Sequence, residues 1–513
     1  MSDRTAPGDG PAPLWLRVWT AILPAVYFLS PLTLLALPAL RRLPRPVWWV
    51  LGAYALSQQL PALLTPDPLL ASVLALGRTA LMLGLIAAGA FLGSSRQLGV
   101  MGFGLALAYV TALGVALVRG EPLLAQRLTH PYMTSITLGL LGAAGLWIAL
   151  FATGRVWWRV PLGASGLAIL LLSGSRGPLA AAVIGAVLGL AVRSGRRLAL
   201  GLVIGAAALT GAYVAGQQLG IPALERLNTT DSSGRDVIWY SALSVIHSAP
   251  LGGVGSYLLG DRLAPPGDPC TLWPTPEGAA PCPAWIARLG HPWLIAHNVT
   301  LQQLAETGPL GLLGLFVLLG VVVAAAALQR DALGIAVLTG LLVATANDNT
   351  LLVPGPFVGE LFWITAGTVL VRLPAVSAAV GWAGGVVATA LLGALSAPVM
   401  STALPRLPLP SFRLSALIAP RTVKDPQDYA AYVRLNIPPG HYRLALQACQ
   451  ISCAWVQIVP VTVPEGGPAP VTRLSGHLYR VPQQRVELSL YPGKSAIRPE
   501  PLAQSSWTVR WTP

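Results

Sequence analysis

Residues 305–328 read AETGPLGLLGLFVLLGVVVAAAAL, and after Glu306 no charged residue occurs before the stretch ends. At about 1.5 Å per helical residue, such a run covers roughly the 30 Å of a bilayer's hydrocarbon core. Working outward, similar apolar stretches recur near 15–36, 46–64, 70–92, 98–118, 134–153, 160–174, 178–193, 198–217, 332–346, 354–371 and 376–399. The count predicts about twelve spans, with 160–174 and 332–346 short for a full crossing. Composition agrees: 54% of the chain is hydrophobic and 10% charged, and mean hydropathy is +0.64. These values exclude an ordinary soluble protein. The N-terminal region carries little positive charge and no small-residue cleavage site, so it reads as lacking a cleavable signal peptide.

The net charge of +14 would fit a nucleic-acid partner only if it were gathered on soluble patches. Instead the arginines sit in short loops between alternate spans: Arg41, Arg42 and Arg45; Arg96; Arg155 and Arg159; Arg193, Arg196 and Arg197; Arg330; Arg372. Intervening loops carry Asp67 and Asp348. Positive-inside bias places the Arg-rich loops in the cytoplasm, and the loop 218–292 and everything after residue 400 outside. The same count puts the N-terminus outside, which points to one span miscounted at the start. All four cysteines fall in the outward segments, Cys270 with Cys282 and Cys449 with Cys453. In an oxidising compartment they read as two disulfides, with a four-cysteine metal site and unpaired thiols as the alternatives.

After the prolines 405, 408 and 410 the texture changes. Alternating runs at 432–437, 441–446, 485–490 and 507–511, separated by Pro-Gly turns, predict a small antiparallel β-sandwich-like domain over 401–513. The fold class is therefore mainly α, a transmembrane helical bundle over 1–400 with an extracytoplasmic β-rich domain over 401–513. That domain holds twelve Lys and Arg against five Asp and Glu. This balance suits an anionic membrane or glycan surface, or a plain accessory fold.

Three outward segments keep ionisable residues at the membrane, where they are costly. In Ser173-Gly174-Ser175-Arg176-Gly177-Pro178, Pro178 suits a first helical turn and Ser175 or Gly177 a cap. In Asp231-Ser232-Ser233-Gly234-Arg235-Asp236, Ser233 and Asp236 have capping-box spacing, so a helix should start there with Arg235 in its first turn. A cation beside free helix N–H groups makes an anion site, unless Arg235 merely pairs with Asp231 or Asp236. In the third, His297-Asn298 opens a polar stripe in which Asn298, Gln302 and Glu306 recur every four residues. His297 and Glu306 lie about 180° apart on a continuous helix, so Glu306 should serve some other group. Tyr257, Trp273, Trp285 and Trp293 would either stack on sugar rings or anchor at the interface.

The ordered set of Ser-Arg-Gly before a span, Ser-Gly-Arg-Asp-Val-Ile-Trp, Ala249-Pro250-Leu251-Gly252-Gly253-Val254-Gly255, and His297-Asn298 with Glu306-Thr307-Gly308 resembles the O-antigen ligase and polymerase family of bacterial membrane glycosyltransferases. The likeness covers roughly 170–320 in detail. It implies transfer of a glycan from an undecaprenyl-pyrophosphate carrier to an acceptor hydroxyl at the outer face of the cytoplasmic membrane. By resemblance, Arg176 and Arg235 bind the donor pyrophosphate, His297 is the general base, and Asn298 and Glu306 support it. The same resemblance implies no metal, no cofactor and inversion at the anomeric carbon. The partners would be the lipid-linked glycan donor, a lipid, glycan or protein acceptor and the bilayer, with no nucleic acid. A repeat-unit polymerase would share the donor residues, so sequence does not separate it from a ligase. A polysaccharide or lipid transporter or flippase is the rival of another class; polar residues at the outer ends of spans, not at the midplane, argue against it. The Cys270/Cys282 insertion and the β-rich domain lie outside the common pattern.

Overall fold

A computed structural model describes residues 12–120, 123, 127–128, 130–193, 235–263, 295–373, 378–403, 413–424, 429–449, 453–466, 471–476, 478, 482–492 and 502–512. The chain falls into two compact units. One comprises residues 1–60, 73–229 and 310–395, the other 61–72, 230–309 and 396–513. The helices in order are α1 (Leu14–Ile22), α2 (Arg45–Ala62), α3 (Pro68–Leu92), α4 (Gly102–Val118), α5 (Ser135–Phe151), α6 (Val156–Leu172), α7 (Arg176–Arg193), α8 (Arg235–Ser248), α9 (Leu259–Leu263), α10 (Val299–Leu328), α11 (Ala332–Ala344), α12 (Val358–Leu370) and α13 (Ala378–Ala403).

Among the described residues, four helical stretches are long and apolar enough to cross a membrane: Pro68–Leu92, Ser95–Val118, Arg176–Arg193 and Val299–Leu328. Five more apolar helices are shorter, among them Val156–Leu172 and Ala332–Ala344, the two segments whose sequence runs are short. The stretch 198–217 lies outside the described residues.

The first predicted span is not one α-helix. The nine residues of α1 are followed by a 3₁₀ helix over Tyr27–Arg42 that contains Pro31 and Pro38. Each proline removes an N–H donor that an α-helix would need. The buried residues Ser30, Thr33, Ala36 and Ala39 recur every third position, the period at which 3₁₀ side chains eclipse. All four are small, and a Cβ on Gly84 of α3 would lie 3.0 Å from Thr33. A close backbone-to-backbone helix contact in this unit joins α3 to α12. A Cβ on Gly89 would meet the Ile364 carbonyl at 2.0 Å, and one on Gly367 the Ile86 carbonyl at 2.0 Å. Hydrophobic burial between helices gains little in lipid, so backbone approach of this kind carries the packing.

Three arginine loops of this unit meet at one carboxylate. Asp331 Oδ1 accepts from Ser95 Oγ at 2.6 Å and from the Gly334 N–H at 2.9 Å, and Arg372 stands 3.9 Å from Oδ2. One carboxylate thus ties together the loops that hold Arg96, Arg330 and Arg372. The Arg42 guanidinium lies 4.5 Å over the Phe91 ring, and Arg159 donates to the Ala149 and Leu150 carbonyls.

Among the described residues, the C-terminal segment forms eight strands. A three-stranded sheet has order β1 (Arg413–Ile418), β3 (Tyr429–Asn436), β6 (Val471–Gly476); a five-stranded sheet has order β2 (Thr422–Val423), β8 (Ala503–Trp511), β7 (Gln483–Pro492), β4 (Gly440–Cys449), β5 (Cys453–Val463). Strands fall where the alternation predicts them. The sheet is mixed, however, because β2 pairs with β8 in parallel. Ala431, Val433 and Leu435 of β3 share one core with Leu444, Leu446, Val486, Leu488 and Val509. Across it Trp507 Nε1 donates to the Tyr429 hydroxyl at 2.7 Å; burial pushes that phenol up to about 12. Cys449 and Cys453 are opposite one another in the β4–β5 ladder. Cys270 and Cys282 lie outside the described residues.

Candidate active site

His297 adopts a left-handed backbone, φ +50°, uncommon for a residue with a side chain and a mark of functional segments when the surroundings enforce it. Here they do. The next residue, Asn298, is fully buried, and its Oδ1 accepts the Leu301 N–H at 3.0 Å, an N-cap for α10. On the other side Gln302 Oε1 accepts the Ala296 N–H at 2.7 Å. The Gln302 amide donates to Glu306 Oε1 at 2.7 Å, which also accepts the Tyr257 N–H at 3.0 Å. The four-residue stripe is therefore a relay along one helix face. It clamps the chain before His297 and fixes the turn at Tyr257, itself left-handed at φ +64°. Glu306 serves Gln302 and Tyr257, a structural role in keeping with its angular distance from His297.

Pro309 explains why the Gly-rich segment docks here. A helix would satisfy the Ala305 carbonyl from the N–H of residue 309, and proline has none. Gly308 breaks the helix at φ +61°. The freed carbonyls of Ala305 and Glu306 instead accept the Val254 and Gly255 N–H groups, each at 2.9 Å. Only glycines fit this approach. A Cβ on Gly253 would come within 2.5 Å of the Glu306 backbone, and one on Gly308 within 2.0 Å of the Leu251 carbonyl. The two motifs that look separate in sequence are two halves of one interlock.

Helix α8 is laid against this interlock by Trp239, Ala242 and Val245, which share a core with Val254, Leu259, Ala296, Leu301 and Ala305. Arg235 is its first residue, so it stands at the N-terminal end, where free N–H groups favour an anion. The capping-box residue Ser233 lies outside the described residues. Among the described residues between 235 and 309, three buried polar atoms have no hydrogen-bond partner: Trp239 Nε1, Ser256 Oγ and Thr300 Oγ1. Left so, each costs about 1–3 kcal/mol, a cost that a hydroxyl-rich ligand would offset. Trp273, Trp285 and Trp293 lie outside the described residues.

Arg176 belongs to the other unit, where it opens α7. Its approach turn is buried and left-handed at Gly174, φ +57°. Ser175 does not use its hydroxyl as a helix cap. That hydroxyl donates to the Ser173 carbonyl at 3.1 Å and accepts from the Arg127 guanidinium. Arg127 Nε also reaches the Ser173 carbonyl at 3.0 Å, and the Leu128 N–H the Leu172 carbonyl at 2.9 Å. Sequence reading passed over Arg127 because no motif spacing surrounds it. Farther along the same loop, His130 Nδ1 accepts the Tyr132 N–H at 3.2 Å, and burial holds its pKa below the ordinary imidazole value. With that lone pair occupied, His130 is a poorer proton acceptor than its residue type suggests.

Residues 161–316 match the family model described as O-antigen ligase. Over that stretch the chain is similar to the O-antigen ligase family. The O-antigen ligase match takes in Arg176, Arg235, His297, Asn298 and Glu306, and the whole Gly-Pro interlock. Arg127 and the eight strands lie outside it. No curated protein matches the chain.

The relay has a measurable consequence. Gln302→Leu keeps the helix and removes both ties, so if the His297 imidazole acts in catalysis, its misplacement should lower kcat about 10- to 100-fold. The donor KM should stay unchanged. Steady-state kinetics beside a thermal-unfolding curve would check this. A rise in KM alone would mean that Gln302 serves donor binding instead.

Proposed function

We propose that the protein transfers a glycan from an undecaprenyl-pyrophosphate carrier to an acceptor hydroxyl, at the outer face of the cytoplasmic membrane. The observation that carries this reading is the enforced left-handed conformation of His297 inside an O-antigen ligase match that also contains Arg176 and Arg235. The acceptor oxygen attacks the anomeric carbon as the carbon–oxygen bond to pyrophosphate breaks. The proton passes to the His297 imidazole, and carrier pyrophosphate leaves as an anion whose growing charge Arg176 and Arg235 neutralise. Displacement in one step inverts the anomeric configuration. Buried Trp239, Ser256 and Thr300 supply polar groups for sugar hydroxyls.

The meeting of the Arg96, Arg330 and Arg372 loops at Asp331 supports a cytoplasmic assignment for that end. The loop before His297 and the β-rich domain, 401–513, would then face outward, the domain closed by a Cys449–Cys453 disulfide and sandwich-like about its shared core. The membrane-embedded glycosyltransferase part is residues 1–400, with about twelve spans.

The test is purified protein in detergent with a fluorescent undecaprenyl-pyrophosphate oligosaccharide, a panel of acceptors, and EDTA. One transferred product of inverted configuration is expected. A product ladder would make the protein a repeat-unit polymerase. Dependence on a divalent metal, or retained configuration, would overturn the mechanism.

A further inference from the structure

The outward face of the three-stranded sheet is both apolar and cationic. Ile418 is 56% exposed, Val471 51% and Tyr432 36%, so these large side chains stand on the solvent side of β1, β6 and β3. The register places them together: Ile418 opposite Tyr432, Tyr432 opposite Arg473, and Arg434 opposite Val471. Arg434 and Arg473 are exposed and flank Tyr432. The remaining outward positions of β3 and β6 are Ala430, Asn436 and Ser475; no acidic residue stands on either strand's outward face. A monomeric domain gains nothing from this pattern, since its core is made by the opposite faces of the same strands. A headgroup layer would use all of it: phosphates for the arginines, and the acyl boundary for an aromatic ring and two branched side chains.

We propose that this face docks on the anionic phospholipid surface of the membrane that the chain spans. Two facts favour lipid over a soluble partner. First, the domain is tethered. Apolar helix α13 ends at Ala403 and β1 starts at Arg413, a gap of nine residues, at most about 30 Å of extended chain. At that range the bilayer is present at high effective concentration. Second, two cations set among apolar side chains, with no acidic residue on either strand's outward face, are complementary to a fluid anionic layer. The inference is independent of whether the protein transfers glycan.

The experiment uses the full-length chain in nanodiscs of phosphatidylcholine, with and without phosphatidylglycerol, carrying a trace of photoactivatable phosphatidylglycerol or phosphatidylcholine. Adducts are mapped by mass spectrometry, with those on the spanning helices as the internal reference. Expected are adducts on Tyr429–Asn436 and Val471–Gly476, enriched for phosphatidylglycerol. Their yield should drop about five-fold for each of Arg434→Glu and Arg473→Glu, the weight of one cation near an anionic surface. Both residues are exposed, so neither variant threatens the fold. Yields no higher than at the exposed turn near Glu465, or equal for the two lipids, would overturn the proposal. So would adducts that a soluble anionic polysaccharide displaces, which would make the face a glycan site.

Discussion

The His297→Asn protein should transfer glycan about 10²- to 10⁴-fold more slowly than the parent, the usual weight of a positioned general base. Asparagine is chosen for the backbone. His297 sits at φ +50°, a region that asparagine enters more readily than most residues, whereas alanine there carries a penalty of about 1–2 kcal/mol. His297→Ala would therefore mix lost chemistry with a strained loop between the Gln302 tie and the Asn298 cap. If the imidazole is what matters, the two variants lose similar activity, and only His297→Ala loses thermal stability. Donor binding, measured as retention of the fluorescent lipid-linked glycan, should survive in both. Full turnover by His297→Asn would remove the general-base assignment outright.

Much of this site is visible in sequence because helical spacing is a local property. Asn298, Gln302 and Glu306 recur every four residues, so their shared face, and Glu306's separation from His297, follow from 3.6 residues per turn. What they bind is not local. The N–H of Tyr257 is 49 residues away from Glu306, and the partnership of Val254 and Gly255 with the helix depends on the carbonyls that Gly308 and Pro309 set free. The Arg127 contact with Ser173 and Ser175 spans more than 40 residues; a lone arginine outside any periodic pattern gives no warning of it. The first span shows the opposite failure. Its hydropathy is that of a crossing helix, but hydropathy ignores the backbone donors that Pro31 and Pro38 remove. Only the three-residue spacing of Ser30, Thr33, Ala36 and Ala39 hints at the 3₁₀ form. In the C-terminal segment, period-two alternation locates strands well, while the parallel β2–β8 pairing depends on chain routing that alternation does not encode.

Arg235→Ala and Arg176→Ala should each lower kcat/KM about 10²- to 10³-fold, as expected for removal of a group that stabilises charge on a departing anion. Lysine should recover only part of the loss, since it replaces the charge but not the two-pronged donor geometry suited to phosphate oxygens. The informative variant is the double one. If both guanidiniums act on one pyrophosphate, losing the second matters less once the first is gone, and the double variant falls short of the product of the single effects. Fully multiplicative losses would mean that the two arginines serve separate steps, and the shared-anion assignment would fall. Arg127 sharpens the comparison. Its Nε and Nη2 are committed to Ser173 and Ser175, so its effect should run through the turn that presents Arg176. Arg127→Ala should then reproduce part of the Arg176→Ala loss in the parent and add little in the Arg176→Ala background. An undiminished further loss there would place Arg127 on the substrate itself.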